Sequence, residues 1–310
     1  MIDLRTKIGD ITIRNPLILA SGVFGSSYSS LNRAYKEGFG AVTTKSIGIE
    51  PRDGYPNPSI IYLPEIKSIL NAVGLANPGY IEFTQELNNL KNDVRYIISL
   101  FGSNPKEFAQ MIEHMNKQIK NNYPIAYELN LSCPHAKKVG IAVGTDPEIV
   151  SRIIRTVKKY THVPIWVKLT PNITDIISIA EAAVSAGADA LVAINTLKAL
   201  KVDIHIKKPV LGNIRGGLSG QAIKPIGIRM IYDLFENYGP KVPLVGVGGV
   251  WNWEDVIEYI LAGANAVQIG SALADISSPA QLASSIIQGI TRYLSEEGTN
   301  ITELRGKAHE

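Results

Sequence analysis

Short, mostly apolar runs recur along the chain, and a segment with the apolar spacing of a helix follows each of them. The eight runs cover residues 17–20, 41–44, 96–100, 126–129, 165–169, 190–194, 244–246 and 266–269. Continuous apolar runs of this length are typical of parallel strands that are buried on both faces. The pattern therefore predicts eight parallel strands.

The segments between these runs carry helix start and stop signals. Asn104-Pro105 and Asp146-Pro147 each place a capping side chain before a proline in the first turn. Thr174 is predicted to cap a helix that ends at Gly187. The eight predicted helices cover residues 29–37, 78–90, 105–121, 147–160, 174–187, 222–237, 252–261 and 279–294.

Eight strands alternating with eight helices predict an α/β protein, a (β/α)8 TIM barrel that spans residues 1–310 as a single domain. An open, doubly wound sheet is the alternative. Residues 4–16 alternate around Gly9-Asp10 and predict an N-terminal β-hairpin. Long loops follow strands two, four and six, and those at 47–77 and 195–221 are the longest. Because each follows the carboxyl end of a strand, we expect lids or binding loops there.

Composition excludes several classes of function. The 310 residues carry a net charge of +3 with scattered lysines and arginines, which argues against nucleic acid as a partner. The single cysteine excludes an intrachain disulfide and an iron–sulfur cluster held by four thiolates of this chain. No run approaches the roughly 18 apolar residues of a membrane span, and the first residues do not resemble a signal peptide. We expect a soluble cytoplasmic protein without a bound metal or a membrane contact.

Two glycine-containing turns follow the last two strands. Gly246-Val247-Gly248-Gly249 follows the seventh strand, and Gly270-Ser271 follows the eighth. Each alone is compatible with a simple tight turn. Barrel proteins commonly hold phosphate groups in the loops after these two strands, where glycine lets backbone N–H groups approach the phosphate oxygens. Together the two turns predict a phosphorylated ligand.

Polar side chains mark the carboxyl ends of other strands, and we expect them to converge on one cavity. They are Ser21, Lys45, Asn130, Lys168, and Asn195 with Thr196. Two lysines suit an electron-rich cofactor, because fixed positive charge stabilises negative charge that develops nearby. Asparagine amides both donate and accept hydrogen bonds, which matches a ring with alternating C=O and N–H groups, such as a pyrimidine.

Cys133 follows Asn130 by three residues and precedes Pro134 in a loop that contains Gly140 and Gly144. A thiol in this position is a candidate catalytic base if its surroundings lower its pKa. A small buried residue is the structural alternative. His135 allows a third interpretation, a Cys–His nucleophile pair.

At these residues the chain resembles the class 1 dihydroorotate dehydrogenases, from about residue 11 to residue 273. The shared motifs lie at residues 15–22, 43–46, 71–79, 130–134, 168–172, 194–196, 216–220 and 223–225 and in the two glycine turns. The stretch Lys208-Pro209-Val210-Leu211 resembles the class 1B branch, whose catalytic subunit pairs with an FAD and iron–sulfur subunit.

The resemblance implies FMN-dependent oxidation of (S)-dihydroorotate to orotate in de novo pyrimidine synthesis. Cys133 matches the base that removes the C5 proton while hydride passes from C6 to flavin N5, and Lys45 matches a lysine that touches both flavin and substrate. The implied substrate contacts are Lys45, Asn71, Ala72, Val73, Gly74, Leu75, Asn130, Asn195 and Thr196. The implied flavin contacts are Ser21, Lys45, Ser46, Asn130, Lys168, Ile194, Gly220, Gly248, Gly249, Gly270 and Ser271.

Two positions depart from the family pattern. Ser99 stands where many relatives have asparagine, and His135 replaces the asparagine common after the proline. Pro134-His135 and residues 168–175 also resemble dihydropyrimidine dehydrogenases, which makes dihydrouracil the alternative substrate. A non-redox, phosphate-binding barrel is the more distant alternative. The resemblance further implies a homodimer and leaves the final electron acceptor open between NAD, reached through the FAD and iron–sulfur subunit, and a small acceptor such as fumarate.

Overall fold

The computed structural model of the protein describes residues 2–131, 143–276 and 278–310. In chain order the strands of this part are β1 (Thr6–Ile8), β2 (Ile11–Ile13), β3 (Leu17–Leu19), β4 (Ala41–Thr43), β5 (Ile60–Leu63), β6 (Ser68–Asn71), β7 (Tyr96–Leu100), β8 (Ala126–Asn130), β9 (Ile165–Leu169), β10 (Ala190–Ala193), β11 (Leu197–Ala199), β12 (Val202–Asp203), β13 (Lys208–Pro209), β14 (Gly216–Gly220), β15 (Leu244–Val247) and β16 (Ala266–Ile269). The α-helices are α1 (Tyr28–Lys36), α2 (Tyr80–Leu87), α3 (Pro105–Gln118), α4 (Pro147–Val157), α5 (Ile176–Ser185), α6 (Lys224–Tyr238), α7 (Trp253–Leu261), α8 (Pro279–Glu297) and α9 (Ile301–Leu304).

Eight parallel strands close into a barrel in the order β3, β4, β7, β8, β9, β10, β15 and β16, and β16 pairs with β3. The predicted (β/α)8 barrel is confirmed, and the open doubly wound sheet is wrong. The predicted strand bounds agree with the observed ones to within one residue. The agreement follows from burial, because every residue of these eight strands is buried except Asn130 and Val247, the last residues of β8 and β15.

The predicted hairpin, β1 and β2, closes the amino-terminal end of the barrel. Its isoleucines Ile8, Ile11 and Ile13 pack in one buried cluster with side chains from the barrel interior, among them Trp166. Asn265, just before β16, donates its amide N–H to the Lys7 carbonyl. The opposite, carboxyl end of the barrel is therefore the end left for ligands.

Two of the three predicted capping residues are confirmed. Asn104 and Asp146 each accept two backbone N–H bonds at the starts of α3 and α4. The prediction of Thr174 as a cap is wrong, because Asp175 accepts from the N–H groups of the second and third residues of α5.

No helix in the described ranges is long and apolar enough to cross a bilayer.

Replacing Asp175 with alanine is expected to lower the free energy of unfolding by about 1 kcal/mol, because two N–H groups lose their acceptor. Thr174→Ala is the matched control, and we expect it to change stability by less than about 0.5 kcal/mol. Urea denaturation of both variants measures the difference. Equal losses in the two variants would contradict the assignment of the cap.

The two longest connections contain a second sheet that the sequence did not predict. Strands β11, β14, β6 and β5 form this antiparallel sheet, in which Asn71 of β6 lies opposite Gly217 of β14. Leu63, Leu70, Ala72 and Leu211 form a small buried cluster of their own beneath it. Because both connections leave the carboxyl ends of barrel strands, the sheet covers part of that end.

Candidate active site

A cavity of about 930 Å³ opens at the carboxyl end of the barrel, between the strand ends and the second sheet. Every site residue that was predicted from the sequence and lies in the described part of the chain lines this cavity. These residues are Ser21, Lys45, Ser46, Asn71, Ala72, Val73, Gly74, Leu75, Asn130, Lys168, Ile194, Asn195, Thr196, Gly220, Gly248, Gly249, Gly270 and Ser271. Cys133, Pro134 and His135 lie outside the described residues. The volume is at the upper end of the range for cofactor and ligand sites.

Side-chain hydrogen bonds connect the ends of five barrel strands along one wall of the cavity. The Ser46 hydroxyl lies 3.2 Å from that of Ser21 and 2.9 Å from that of Ser99. Asn130 donates its amide N–H to Ser46 at 3.0 Å, and Asn195 donates to the Asn130 amide oxygen at 3.0 Å. Ser99 is fully buried and does not line the cavity, so it supports Ser46 from behind. The serine at position 99 therefore contacts Ser46 and does not face the cavity.

The two glycine turns present unpaired donors to the cavity. Within the described residues, the backbone N–H groups of Gly249, Gly270 and Ser271 make no hydrogen bond. The Ser271 hydroxyl lies beside them and donates to Ser219 at 2.9 Å. Converging backbone N–H groups of this kind are suited to bind the oxygens of a phosphate.

Gly249 shows why this turn requires glycine. Its φ of +73° lies in the left-handed region. A Cβ atom there would lie 2.6 Å from the Lys224 Cβ and 2.8 Å from the Gly220 carbonyl oxygen. No side chain fits this position unless the backbone moves, and the resulting turn exposes its N–H groups.

A second set of unpaired donors lies in the loop after β6. Gly74 and Leu75 have φ values of +74° and +59°, and within the described part of the chain their N–H groups make no hydrogen bond. Asn77 holds the loop by donating its amide N–H to the Leu75 carbonyl at 2.8 Å. Asn71 donates to the Gly217 carbonyl at 3.2 Å, which ties the loop to β14. The loop is therefore preformed to accept a small anionic group.

Lys45 is a half-buried cation in this cavity. Burial lowers the pKa of its ammonium group, because removal from water disfavours the charged form. No carboxylate of residues 2–131, 143–276 or 278–310 forms an ion pair with it. Its charge is thus available to a bound anion.

Lys168 has a different environment, which the sequence did not predict. It lies one residue before the end of β9 and is almost fully buried, and its ammonium group lies 3.3 Å from Glu128 and donates to Gln268 at 2.8 Å. Glu128 and Gln268 were not predicted as functional residues. Each interrupts an apolar strand, which was the available signal in the sequence.

Two further cations line the cavity where it meets solvent, and they too were not predicted. Lys198 and Arg215 are exposed residues of the second long connection. With Lys45 and Lys168 they make four cationic residues among the described lining residues, which include no aspartate or glutamate. Because of these cations, the cavity is suited to a ligand with more than one negative charge. The described part of the chain contains no group of three or more residues that could hold a metal ion.

Comparison with known proteins gives one consistent result. The family model described as dihydroorotate dehydrogenase matches residues 3–294. A protein of Methanocella arvoryzae is 50% identical over 97% of this chain and 96% of its own length, and one of Pyrococcus furiosus is 46% identical over 99% of both. A protein of Methanocaldococcus jannaschii is 45% identical over 99% of this chain and 98% of its own. All three are described as dihydroorotate dehydrogenase B (NAD(+)), catalytic subunit. The resemblance inferred from the motifs is confirmed: this chain belongs to the dihydroorotate dehydrogenase family.

Proposed function

We propose that this chain oxidises (S)-dihydroorotate to orotate with FMN, as a step in pyrimidine nucleotide synthesis. The observation that carries the proposal is the cavity at the barrel end, whose described lining has four cations and no carboxylate. FMN brings a phosphate and dihydroorotate brings a carboxylate. Two separate sets of unpaired N–H groups, at the two glycine turns and at Gly74 and Leu75, offer one place for each anion.

The residues present fit FMN. The glycine turns after β15 and β16 would hold its phosphate on backbone N–H groups and on the Ser271 hydroxyl. Lys168 would lie at the electron-rich edge of the ring system, where its charge stabilises the reduced form. The remaining predicted contacts are Ser21, Lys45, Ser46, Asn130, Ile194 and Gly220. The bound flavin would accept hydride, and the protein orients it and tunes its affinity for electrons.

Other residues that line the cavity fit the substrate. Lys45 and the N–H groups of Gly74 and Leu75 would bind the carboxylate, with Asn71, Ala72 and Val73 completing the loop. Asn130, Asn195 and Thr196 would bind the C=O and N–H groups of the pyrimidine ring. Asn130 is already oriented by Ser46, and the amide oxygen of Asn195 accepts the Thr196 N–H at 2.8 Å. A ring clamped in this way loses little further entropy on reaction, and such positioning supplies a large share of the rate.

Cys133 is the proposed catalytic base. It follows Asn130 by three residues, so covalent geometry limits the distance between the two Cα atoms to about 11 Å. The thiolate would remove the C5 proton, and the hydride at C6 would leave towards the flavin, so that the C5–C6 bond becomes double. Because the flavin would stack on one face of the ring, the base would approach C5 from the other face. A cationic environment at this end of the barrel would favour the thiolate over the thiol.

Two alternatives are less well supported. Dihydrouracil lacks a carboxylate, so Lys45 and the unpaired N–H groups of Gly74 and Leu75 would have no anion to bind. A non-redox barrel does not agree with membership of the dihydroorotate dehydrogenase family. Dihydroorotate is therefore the substrate that uses the observed donors.

We further propose that this chain works with a second subunit. The relatives named above are described as catalytic subunits of an NAD(+)-linked enzyme. This chain has one cysteine, so an iron–sulfur cluster on the route to NAD must be held by another chain. A homodimer of this chain that carries two FAD and iron–sulfur subunits is the assembly we expect. Native mass spectrometry of the complex purified from its source would test this assembly.

The flavin content of the purified protein and its response to orotate test the proposed function. We expect a yellow protein with one FMN per chain, whose flavin absorption spectrum shifts on addition of orotate and much less on addition of uracil, which lacks the carboxylate. A colourless protein that binds sugar phosphates would support the non-redox alternative. Equal spectral responses to orotate and uracil would support a dihydrouracil-type substrate.

Replacing both Lys198 and Arg215 with glutamine is expected to lower the second-order rate constant for flavin reduction by dihydroorotate roughly tenfold at low ionic strength, because cations at a cavity mouth attract anions. In about 1 M salt the difference should vanish, since the Debye length falls to about 3 Å. Lys201→Gln with Lys207→Gln is the matched control, because these exposed lysines carry the same charge and do not line the cavity. Stopped-flow absorbance measures all three proteins. An equal fall in the rate constant of the control would show that the rate depends on the net charge of the protein and not on the position of the two cations at the cavity mouth.

A further inference from the structure

A buried carboxylate lies inside the barrel, and none of the roles described above uses it. Glu128 of β8 is 0% exposed, Lys168 of β9 is 6% exposed and Gln268 of β16 is 1% exposed. The ammonium group of Lys168 lies 3.3 Å from a Glu128 oxygen and donates to the Gln268 amide oxygen at 2.8 Å. Gln268 in turn donates its amide N–H to the other Glu128 oxygen. The three side chains thus form a closed ring of polar contacts across the barrel.

The donors and acceptors of this ring can be assigned in one way only. An ammonium group only donates and a carboxylate only accepts, so the Gln268 amide must face its oxygen to Lys168 and its N–H to Glu128. Lys168 and Gln268 line the cavity, whereas Glu128 does not. The carboxylate therefore lies deeper in the barrel than the ammonium group, with the cavity on the far side of Lys168.

A carboxylate in this place is costly, because barrel interiors are usually filled by branched apolar side chains and a buried charge loses its hydration. The cavity's other lysine, the half-buried Lys45, has a different environment. Lys45 has no carboxylate partner within the described residues, and its lowered pKa follows from burial alone. The two lysines thus present different charges to a ligand: Lys45 acts as a full cation, and Lys168 acts as the exposed end of an ion pair.

We propose that Glu128 is a positioning residue that, directly and through Gln268, fixes Lys168 and partly neutralises its charge, and that it thereby lowers the reduction potential of the bound flavin. This inference rests on the proposed function, because it needs FMN in the cavity with its electron-rich edge near Lys168. A negative charge behind the lysine opposes the uptake of electrons, and the effect is strong because the group is screened from water. Removing only the carboxylate charge should therefore favour the reduced flavin.

The test is the midpoint potential of the bound flavin, measured anaerobically against a reference dye. In Glu128→Gln we expect a shift to more positive potential by at least about 30 mV, which corresponds to a tenfold change in the two-electron equilibrium. Glu128→Asp keeps the negative charge but holds it on a shorter side chain, farther from Lys168. The midpoint potential of its flavin should lie between those of the wild type and Glu128→Gln. Glu113→Gln is the matched control, because Glu113 pairs with Lys117 on the exposed surface of α3. We expect no shift in the control.

A second pair of variants covers the case in which Glu128→Gln does not fold. Lys168→Met should shift the potential to more negative values, and Lys168→Met with Glu128→Gln should be more positive than Lys168→Met alone. Removing both members of a buried ion pair is better tolerated than removing one. Equal potentials in these two variants, or an unshifted potential in a folded Glu128→Gln, would overturn the inference and leave the proposed function standing. A wild-type protein without FMN would overturn both.

Discussion

Replacing Cys133 with alanine is expected to slow the reduction of bound FMN by dihydroorotate about 10²- to 10⁴-fold, because the C5 proton loses its acceptor. FMN should remain bound at one per chain, since the described residues that line the flavin part of the cavity are unchanged. Anaerobic stopped-flow absorbance of the flavin gives the rate, and the visible spectrum gives the FMN content. The rate of flavin reduction should fall, whereas the affinity of the variant for orotate should stay near that of the wild type.

His135→Ala is the matched control for this variant, because it tests the alternative of a Cys–His nucleophile pair in the same loop. We expect it to change the rate far less than Cys133→Ala does. Cys133→Ser should recover part of the rate only at higher pH, because a hydroxyl is a much weaker acid than a thiol. A Cys133→Ala protein that reduces its flavin at nearly the wild-type rate would remove Cys133 from the mechanism.

Replacing Lys45 with methionine is expected to lower kcat/KM for dihydroorotate about 10²- to 10³-fold, because the variant removes a desolvated cation from the site. The wild type should also lose affinity for orotate at alkaline pH. Burial lowers the pKa of Lys45, so its positive charge is lost as the pH rises through a value below that of a free lysine. The dissociation constant of orotate, measured as a function of pH from the flavin spectrum, tests this.

The alkaline decline should be absent in Lys45→Met, which has no charge at this position to lose. Lys201→Met is the matched control, because Lys201 pairs with Glu65 outside the cavity. It should keep both the wild-type affinity and the alkaline decline. If Lys45→Met shows the same fall in orotate affinity at alkaline pH, the titration of another group causes that fall.

The barrel strands were predictable because they are short, continuous and buried on both faces, which is typical of parallel sheets, and their number is that of a closed barrel. The second sheet was not, because its strands are half-exposed and pair residues far apart in sequence. Asn71 and Gly217, for example, lie opposite each other although 146 positions separate them. The cap of α5 was assigned to Thr174 from its residue type alone, and only the backbone shows that the helix begins after Asp175.

The strand-end residues were predictable for a related reason: a buried strand has little use for lysine or asparagine at its end. The same reasoning applied to Glu128 and Gln268 would have marked them as unusual. It would not have paired them, since 140 positions separate them and only closure of the barrel brings β8 near β16. Lys198 and Arg215 carried no signal, because exposed cations in a long connection are common. Their position at the cavity mouth follows from the unpredicted sheet.

Anaerobic titration of the purified yellow protein with (S)-dihydroorotate tests the central claim most directly. We expect the flavin absorbance to bleach with one equivalent of dihydroorotate per FMN and orotate to form in the same amount, whereas dihydrouracil should leave the flavin oxidised. Bleaching by dihydrouracil together with an oxidised flavin after excess dihydroorotate would contradict the account.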